Sequence, residues 1–299
     1  MSTDLKGSIV AIVTPMHGDG SMDLLAFDRL VDWHVDAGTS AIVVVGTTGE
    51  SATLSMEEHC DLVAHCVEVA NKRIPVIAGT GSNSTDEALY FTRSAAQHGA
   101  DAALLVTPYY NKPSQEGLYQ HFKAVAEAVD IPQILYNVPG RTACDMSVET
   151  VERLAGFENI VGIKDATGDI PRGHELVDRC GDRLAVYSGE DAITLALMKG
   201  GAVGTISVTA NVAPSLMAEM CGKALAGDFA VAAAVDSKLA ALHENLFLEA
   251  NPIPVKWALA KMGLIEPGIR LPLVELDVKY HVQVSDALEQ AGISFPEAA

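Results

Sequence analysis

The chain has 299 residues, of which 49% are hydrophobic, and its 39 acidic residues outnumber 20 basic ones to give a net charge of -19. This much apolar material predicts a large folded core and excludes an intrinsically disordered chain. The negative charge repels nucleic-acid phosphates and anionic lipids, which argues against nucleic-acid or membrane binding. Every apolar run is also far shorter than the roughly 18 residues of a transmembrane helix.

The amino-terminal segment and the cysteines both predict a cytoplasmic protein. The stretch from Met1 to Pro15 lacks the layout of a secretory signal, because acidic Asp4 stands near Lys6 and the apolar part stops at Pro15. The five cysteines are scattered and contain no Cys-x-x-Cys pair. That pattern is typical of reduced thiols that serve as small core residues.

Eight short apolar runs alternate along the chain with segments of helical periodicity. The runs are rich in Val and Ile and end at Gly, Pro, Thr or Asn, as expected for parallel strands covered by helices. The predicted strands are 8–14, 41–47, 75–80, 102–107, 133–137, 160–164, 184–188 and 203–208.

Three of the intervening helices begin at recognisable capping residues. These are Asp23 before a helix at 24–37, Ser55 with Glu58 before 57–71, and Ser84 with Glu87 before 88–98.

Eight strand–helix units predict an α/β fold of the (β/α)8 barrel type, which typically needs about 250 residues. A doubly wound sheet is the rival, but its Gly-x-Gly-x-x-Gly turn is missing after the first strand, where 14–18 reads Thr-Pro-Met-His-Gly. After the eighth strand only helices follow, at 214–226, 229–246, 254–262 and 281–291. We therefore predict a barrel at 1–226 and an α-helical carboxy-terminal extension at 227–299, with Lys256 a residue at the start of a helix.

Lys164 stands at the end of the sixth predicted strand, where barrel enzymes place their active sites. Strand alternation assigns it, with Gly162 and Ile160, to the barrel interior. Removal from water there favours the neutral amine, which can attack a carbonyl carbon. The alternative is a lysine that extends into solvent or pairs with Asp165.

Other strand ends carry groups suited to a carboxylate substrate. Thr47 and Thr48 follow strand two in a Gly-rich turn, and Arg141 offers a planar fork. Tyrosines stand at the ends of strands four and five and suit proton transfer. Taken singly, each feature has an alternative: an ordinary loop for the threonine turn, core rings with satisfied hydroxyls for the tyrosines, and a surface salt bridge for Arg141. In so acidic a protein, an anionic substrate needs local positive charge, which Lys164 and Arg141 provide.

Three strand-end segments stand out: 46–50 (Gly-Thr-Thr-Gly-Glu), 136–142 (Tyr-Asn-Val-Pro-Gly-Arg-Thr) and 162–168 (Gly-Ile-Lys-Asp-Ala-Thr-Gly). Together they resemble the dihydrodipicolinate synthase family of class I pyruvate lyases. The likeness runs from about residue 7 to 272 and also includes 107–113 and 251–257. The wider lyase family shares the first and third segments, whereas the Arg141 segment and the double tyrosine favour this member. Lyases of N-acetylneuraminate or 2-keto-3-deoxy sugar acids remain the alternative.

The resemblance implies condensation of pyruvate with L-aspartate 4-semialdehyde to 4-hydroxy-2,3,4,5-tetrahydrodipicolinate, in lysine and diaminopimelate synthesis. It implies no metal and no cofactor, because a protonated lysine imine is the electron sink. The implied roles are Lys164 as the nucleophile, Tyr136 as the proton donor and acceptor, Thr47 as its link to Tyr110, Thr48 and backbone Ile206 as pyruvate ligands, Gly189 beside the imine, and Arg141 for the semialdehyde carboxylate.

The resemblance also implies a homotetramer, a dimer of dimers in which Tyr110 enters the neighbour's site. In lysine-inhibited members an allosteric cleft lies at that interface, and Met56 stands where sensitive members often carry histidine. We expect L-lysine to bind, with weakened or altered inhibition. The cleft positions are Ser51, Ala52, Leu54, His59, Asn83, Glu87 and Tyr109.

Three other functions fit the sequence less well. A metal-dependent aldolase needs clustered ligands at strand ends, whereas His59 and His65, with their neighbouring cysteines, are six residues apart on one helix. A phosphate-binding isomerase would meet repulsion from Glu190 and Asp191 after strand seven. A barrel that only binds ligands or partners would not need Lys164 together with the hydroxyl residues.

Overall fold

The computed structural model describes residues 5–295 and contains a closed barrel of eight parallel strands in chain order, with β1 beside β8. The (β/α)8 prediction is confirmed. The strands are β1 Gly7–Ala11, β2 Ala41–Val44, β3 Val76–Gly79, β4 Ala102–Val106, β5 Gln133–Asn137, β6 Ile160–Asp165, β7 Ala185–Ser188 and β8 Gly204–Ser207.

Helices surround the barrel and continue beyond it. Those between the strands are α1 Leu24–Asp36, α2 Met56–Ala70, α3 Thr85–Gln97, α4 Gln115–Ala128, α5 Pro139–Thr142, α6 Val148–Leu154, α7 Ile170–Cys180 and α8 Thr194–Lys199. After β8 come α9 Pro214–Leu225, α10 Phe229–Asn245, α11 Ile253–Lys261 and α12 His281–Gln290. Within residues 5–295, no helix is long and apolar enough to span a membrane.

Several strands end earlier than the sequence predicts. The second ends at Val44 instead of Thr47, because Val45 adopts a φ of 51°, in the left-handed region that breaks a strand. The shortening places Thr47 and Thr48 in a loop at the carboxyl end of the barrel.

Two of the three capping predictions are confirmed in full. Asp23 accepts the Ala26 amide at 2.9 Å, and Ser55 with Glu58 forms a complete capping box. Ser84 also caps its helix, but the carboxylate of Glu87 accepts the Ser82 hydroxyl instead of closing the box.

The inside of the barrel is filled by alternate residues of the strands, including Ile9, Ile134, Tyr136 and Ile206. A pairing irregularity between Gln133 and Ile134 shifts the register against β6. Ile160 consequently packs in the outer cluster between barrel and helices, so its assignment to the interior was wrong.

The carboxy-terminal helices pack against the barrel and share one apolar cluster with it, where Val235 and Leu239 of α10 join Val10 and Ile12. Division of the chain at residue 226 stays a prediction, and its residues 1–4 and 296–299 lie outside the described part. The description of Lys256 as merely a helix-start residue was incomplete. Although it lies in the first turns of α11, its side chain is buried and forms an ion pair with Glu50.

Candidate active site

Lys164 lies at the carboxyl end of β6, beside Tyr136 of β5, and is only 5% exposed. It lines a cavity at the mouth of the barrel, and its Nζ stands 4.3 Å from the centre of the Tyr136 ring. Neither alternative for this lysine holds. It does not extend into solvent, and the neighbouring Asp165 pairs with Arg172 at 2.9 Å. Lys164 therefore presents its amine to the cavity.

Gly189 lies next to Lys164, and a residue with a side chain would not fit at this position. A Cβ at this position would stand 3.0 Å from the Lys164 Cε and 2.6 Å from the Ala166 Cβ. Gly189 thus keeps space beside the amine, in the position expected for a residue alongside an imine.

Thr47 and Thr48 line the same cavity from the loop after β2. Thr48 is buried, and its Oγ1 accepts a hydrogen bond from Nδ2 of Asn251 at 3.0 Å. Ile206 of β8 is also buried, in the barrel interior.

The two predicted proton-transfer tyrosines occupy different environments. Tyr136 is buried and lines the cavity, whereas Tyr110 is 89% exposed, has a φ of 74° and is not among the described residues that line it. Among residues 5–295, no hydrogen bond joins Thr47 to either tyrosine. The predicted hydroxyl relay is therefore not assembled within one chain.

Arg141 reaches the cavity from the short helix α5, where its Nη2 donates to the backbone carbonyl of Asn251 at 3.1 Å. Glu190 also lines the cavity. Burial and the nearby Asp191 raise the pKa of Glu190, while Lys164 and Arg141 oppose that rise.

Sequence reasoning did not single out Asn251 or Glu190 as residues that line a site on the barrel. The signal for Glu190 was its place after β7, which had been used only against phosphate binding. Asn251 gave no such signal, since it follows α10 and none of the strands.

A second cavity adjoins the first and is larger, with about 1530 Å³ of empty space against about 720 Å³ when the space open to solvent is counted. Met56 lines this second cavity. Asn83 is not among its described lining residues, and its backbone carbonyl accepts a hydrogen bond from Nδ2 of Asn111. Six of the seven predicted lysine-cleft residues line this cavity: Ser51, Ala52, Leu54, His59, Glu87 and Tyr109.

His59 is one of the residues that line both cavities. Its ring stacks on Phe91 with the ring centres 4.0 Å apart, and its Nε2 lies 2.9 Å from the Gly79 carbonyl. Burial lowers the pKa of His59 to about 4, so the ring is neutral at neutral pH.

The two histidines of α2 do not come together as metal ligands. His65 Nε2 lies 2.6 Å from Asp28 Oδ1, whereas His59 Nε2 faces the Gly79 carbonyl. Within residues 5–295, one group of three potential ligands comes close together, namely His17, Asp23 and Glu266. These residues lie outside the lining of the Lys164 cavity.

Comparison with known proteins bears on this geometry. The model of the dihydrodipicolinate synthetase family matches residues 4–291. The chain belongs to this family. A 4-hydroxy-tetrahydrodipicolinate synthase of Thioalkalivibrio sulfidiphilus (strain HL-EbGR7) is 61% identical over 288 residues, which cover 96% of this chain and 98% of the relative.

Solved structures of the family agree with the fold. A crystal structure of dihydrodipicolinate synthase from Acinetobacter baumannii, described as chloride inhibited and complexed with pyruvate, superposes with a TM-score of 0.96 at 59% identity, covering 97% of this chain and 100% of the other. The enzyme from Cyanidioschyzon merolae with lysine bound gives a TM-score of 0.93 at 38% identity, covering 97% and 99%.

Proposed function

We propose that this chain condenses pyruvate with L-aspartate 4-semialdehyde to 4-hydroxy-2,3,4,5-tetrahydrodipicolinate, in the synthesis of lysine and diaminopimelate. Membership of the family and 61% identity to a relative named for this reaction support this function over the sialic-acid or sugar-acid lyases. The observation that carries the chemistry is the buried Lys164 amine, which faces a cavity and forms no ion pair with a carboxylate among residues 5–295.

The first half of the reaction forms a nucleophile from pyruvate. The Lys164 amine attacks the ketone carbon, and loss of water leaves a protonated imine. This imine draws electrons from the adjacent methyl group, which gives up a proton and becomes an enamine. The Thr48 hydroxyl and the Ile206 backbone hold the carboxylate, while the space beside Gly189 accommodates the imine.

The second half joins the substrates and releases the lysine. The enamine carbon attacks the aldehyde carbon of the semialdehyde, whose carboxylate binds the Arg141 guanidinium. The substrate's own amino group then attacks the imine carbon, closes the ring and displaces the Lys164 amine. The cationic imine supplies the electron sink, so we propose that neither a metal nor another cofactor takes part.

Proton transfer in this scheme needs a second copy of the chain. Tyr136 exchanges protons with the reacting carbon and oxygen atoms, and Thr47 connects it to a neighbour's Tyr110. The high exposure of Tyr110 supports this role, because an exposed ring is free to enter another protomer. We propose a homotetramer built as a dimer of dimers, located in the cytoplasm.

The second cavity is proposed as a site for L-lysine as feedback inhibitor. Six predicted residues line it, and a family member has been crystallised with lysine bound. Met56 occupies part of the same wall with an apolar side chain, which is 45% exposed. We therefore propose that inhibition is weakened or altered, because a thioether offers little to a charged ligand.

Turnover measurements with alternative aldehydes test the proposed function. Condensation, followed as consumption of pyruvate so that either aldehyde is detected, is expected with aspartate semialdehyde and not with N-acetylmannosamine. Lys164→Arg keeps the charge but removes the nucleophile and is expected to abolish turnover. Product formation with the sugar alone would support the alternative lyase, and activity lost to EDTA and restored by zinc would support the metal-dependent mechanism.

A further inference from the structure

Asn251 contacts two of the residues that are proposed to bind the substrates, Thr48 and Arg141, although it lies just before α11, outside the barrel strands. Its Nδ2 donates to the Thr48 Oγ1 at 3.0 Å, and its backbone carbonyl accepts from the Arg141 Nη2 at 3.1 Å. The residue is only 5% exposed and lines both cavities. Asn251 therefore links Thr48, which is proposed to bind pyruvate, to Arg141, which is proposed to bind the semialdehyde.

The contact with Thr48 determines where the threonine hydroxyl can donate its proton. A hydroxyl has one hydrogen and two lone pairs, whereas an amide nitrogen only donates. Because Asn251 Nδ2 occupies a lone pair of Oγ1, the Thr48 proton cannot be directed at that nitrogen. Thr48 lines the cavity, so its proton is available to a carboxylate bound beside Lys164.

The amide also has a buried oxygen that the fold leaves unused. Among the described residues, Asn251 Oδ1 is buried without a hydrogen-bond partner. Buried polar atoms are normally paired, since an unpaired one costs free energy. Packing alone therefore does not explain an amide at this position, whereas the Nδ2 contact with Thr48 does.

A second link between the same two segments keeps this contact in register. Glu50, two residues after Thr48, forms a buried ion pair with Lys256, five residues after Asn251. Glu50 also accepts the backbone N–H of Arg270 at 3.1 Å. The loop after β2 is thus held to the carboxy-terminal segment close to the Asn251 contact as well.

We propose that Asn251 is a positioning residue that orients the Thr48 hydroxyl toward the carboxylate of the keto-acid substrate. This inference rests on the proposed function and adds a residue from the carboxy-terminal extension to the pyruvate-binding apparatus.

Steady-state kinetics with both substrates test the proposal. Asn251→Ala removes the donor but retains the backbone carbonyl that holds Arg141, so KM for pyruvate should rise about tenfold, the size expected of one hydrogen bond to a charged group. KM for the semialdehyde should stay within about twofold. Asn251→Asp keeps the shape, but its carboxylate accepts the Thr48 proton and adds a negative charge. KM for pyruvate should therefore rise further than in Asn251→Ala.

A matched control separates positioning from loss of stability. Asn159 donates Nδ2 to the carbonyls of Ala126 and Val129, at the start of β6 and therefore at the opposite end of the barrel. Asn159→Ala removes comparable hydrogen bonds and should leave both KM values unchanged. On a Thr48→Ala background, Asn251→Ala should add little further change in KM for pyruvate, because the hydroxyl that it orients is gone.

The outcomes distinguish this proposal from the proposed function. An unchanged KM for pyruvate in Asn251→Ala, an equal rise of both KM values, or additive effects in the double variant would overturn the role of Asn251, even while the wild-type chain turns over both substrates. A wild-type chain without turnover would overturn the proposed function and this role with it.

Discussion

Replacement of Lys256 by methionine removes one partner of the ion pair with Glu50. The two side chains are 3% and 0% exposed, so the remaining carboxylate cannot be solvated in place of its partner. It keeps only the Arg270 N–H at 3.1 Å as a described donor. Breaking one side of such a buried pair typically costs about 3–5 kcal/mol. At about 2.1 cal/mol/K of unfolding entropy per residue, a chain of 299 residues would then lose roughly 5–8 °C in Tm.

Equilibrium urea unfolding of matched variants measures this cost. Lys279→Met is the control, because Lys279 and Asp277 form an exposed pair at 2.9 Å, and its loss should change the free energy of unfolding by less than about 1 kcal/mol. Adding Glu50→Gln to Lys256→Met removes the stranded charge and should recover at least half of the loss. A cost below about 1 kcal/mol for Lys256→Met, or no recovery in the double variant, would refute the reasoning.

Three further predictions concern the site and the pH dependence of stability. Arg141→Lys should raise KM for the semialdehyde at least tenfold and leave KM for pyruvate nearly unchanged, because an ammonium cannot both contact the Asn251 carbonyl and grip a carboxylate with a fork; equal changes in initial-rate kinetics would contradict it. Tyr110→Phe should lower kcat by about 10²-fold or more, with an unchanged circular dichroism spectrum, since the exposed ring contributes little to packing; wild-type kcat would contradict it. Burial lowers the pKa of His34 to about 3, so the unfolded chain takes up the proton first and stability falls as the pH falls from about 6.5 toward 3. His34→Gln should therefore lose about 1.4 kcal/mol less than the wild type between pH 7.5 and 5.5 in urea titrations, and parallel losses would contradict this.

The barrel was predictable because its signals are local and repeated. Each strand is an apolar run that ends at a breaking residue, and Asp23 and Ser55 mark helix starts through contacts within three residues. The cavity was predictable for a similar reason. The carboxyl ends of parallel strands meet at one end of a barrel, so residues at those ends, including Lys164, Tyr136 and Thr48, line one cavity.

Long-range pairing was not predictable from these signals. Glu50 and Lys256 are separated by 206 residues, and although each belongs to a segment that carries the resemblance, nothing local to either segment pairs the two side chains. The contact between Asn251 and Thr48 spans 203 residues and was not predictable for the same reason. The predicted position of Ile160 was wrong because a register shift between neighbouring strands depends on how the two strands pack. Strict alternation within one strand gives no information about that packing.

The imine on Lys164 is the central claim, and trapping it is the most direct test. The protein is incubated with pyruvate, reduced with borohydride and digested, and the peptides are mapped by mass spectrometry. We predict one adduct, on Lys164, and none in Lys164→Arg. The absence of an adduct, or an adduct on Lys256, the other lysine that is buried among residues 5–295, would contradict the account.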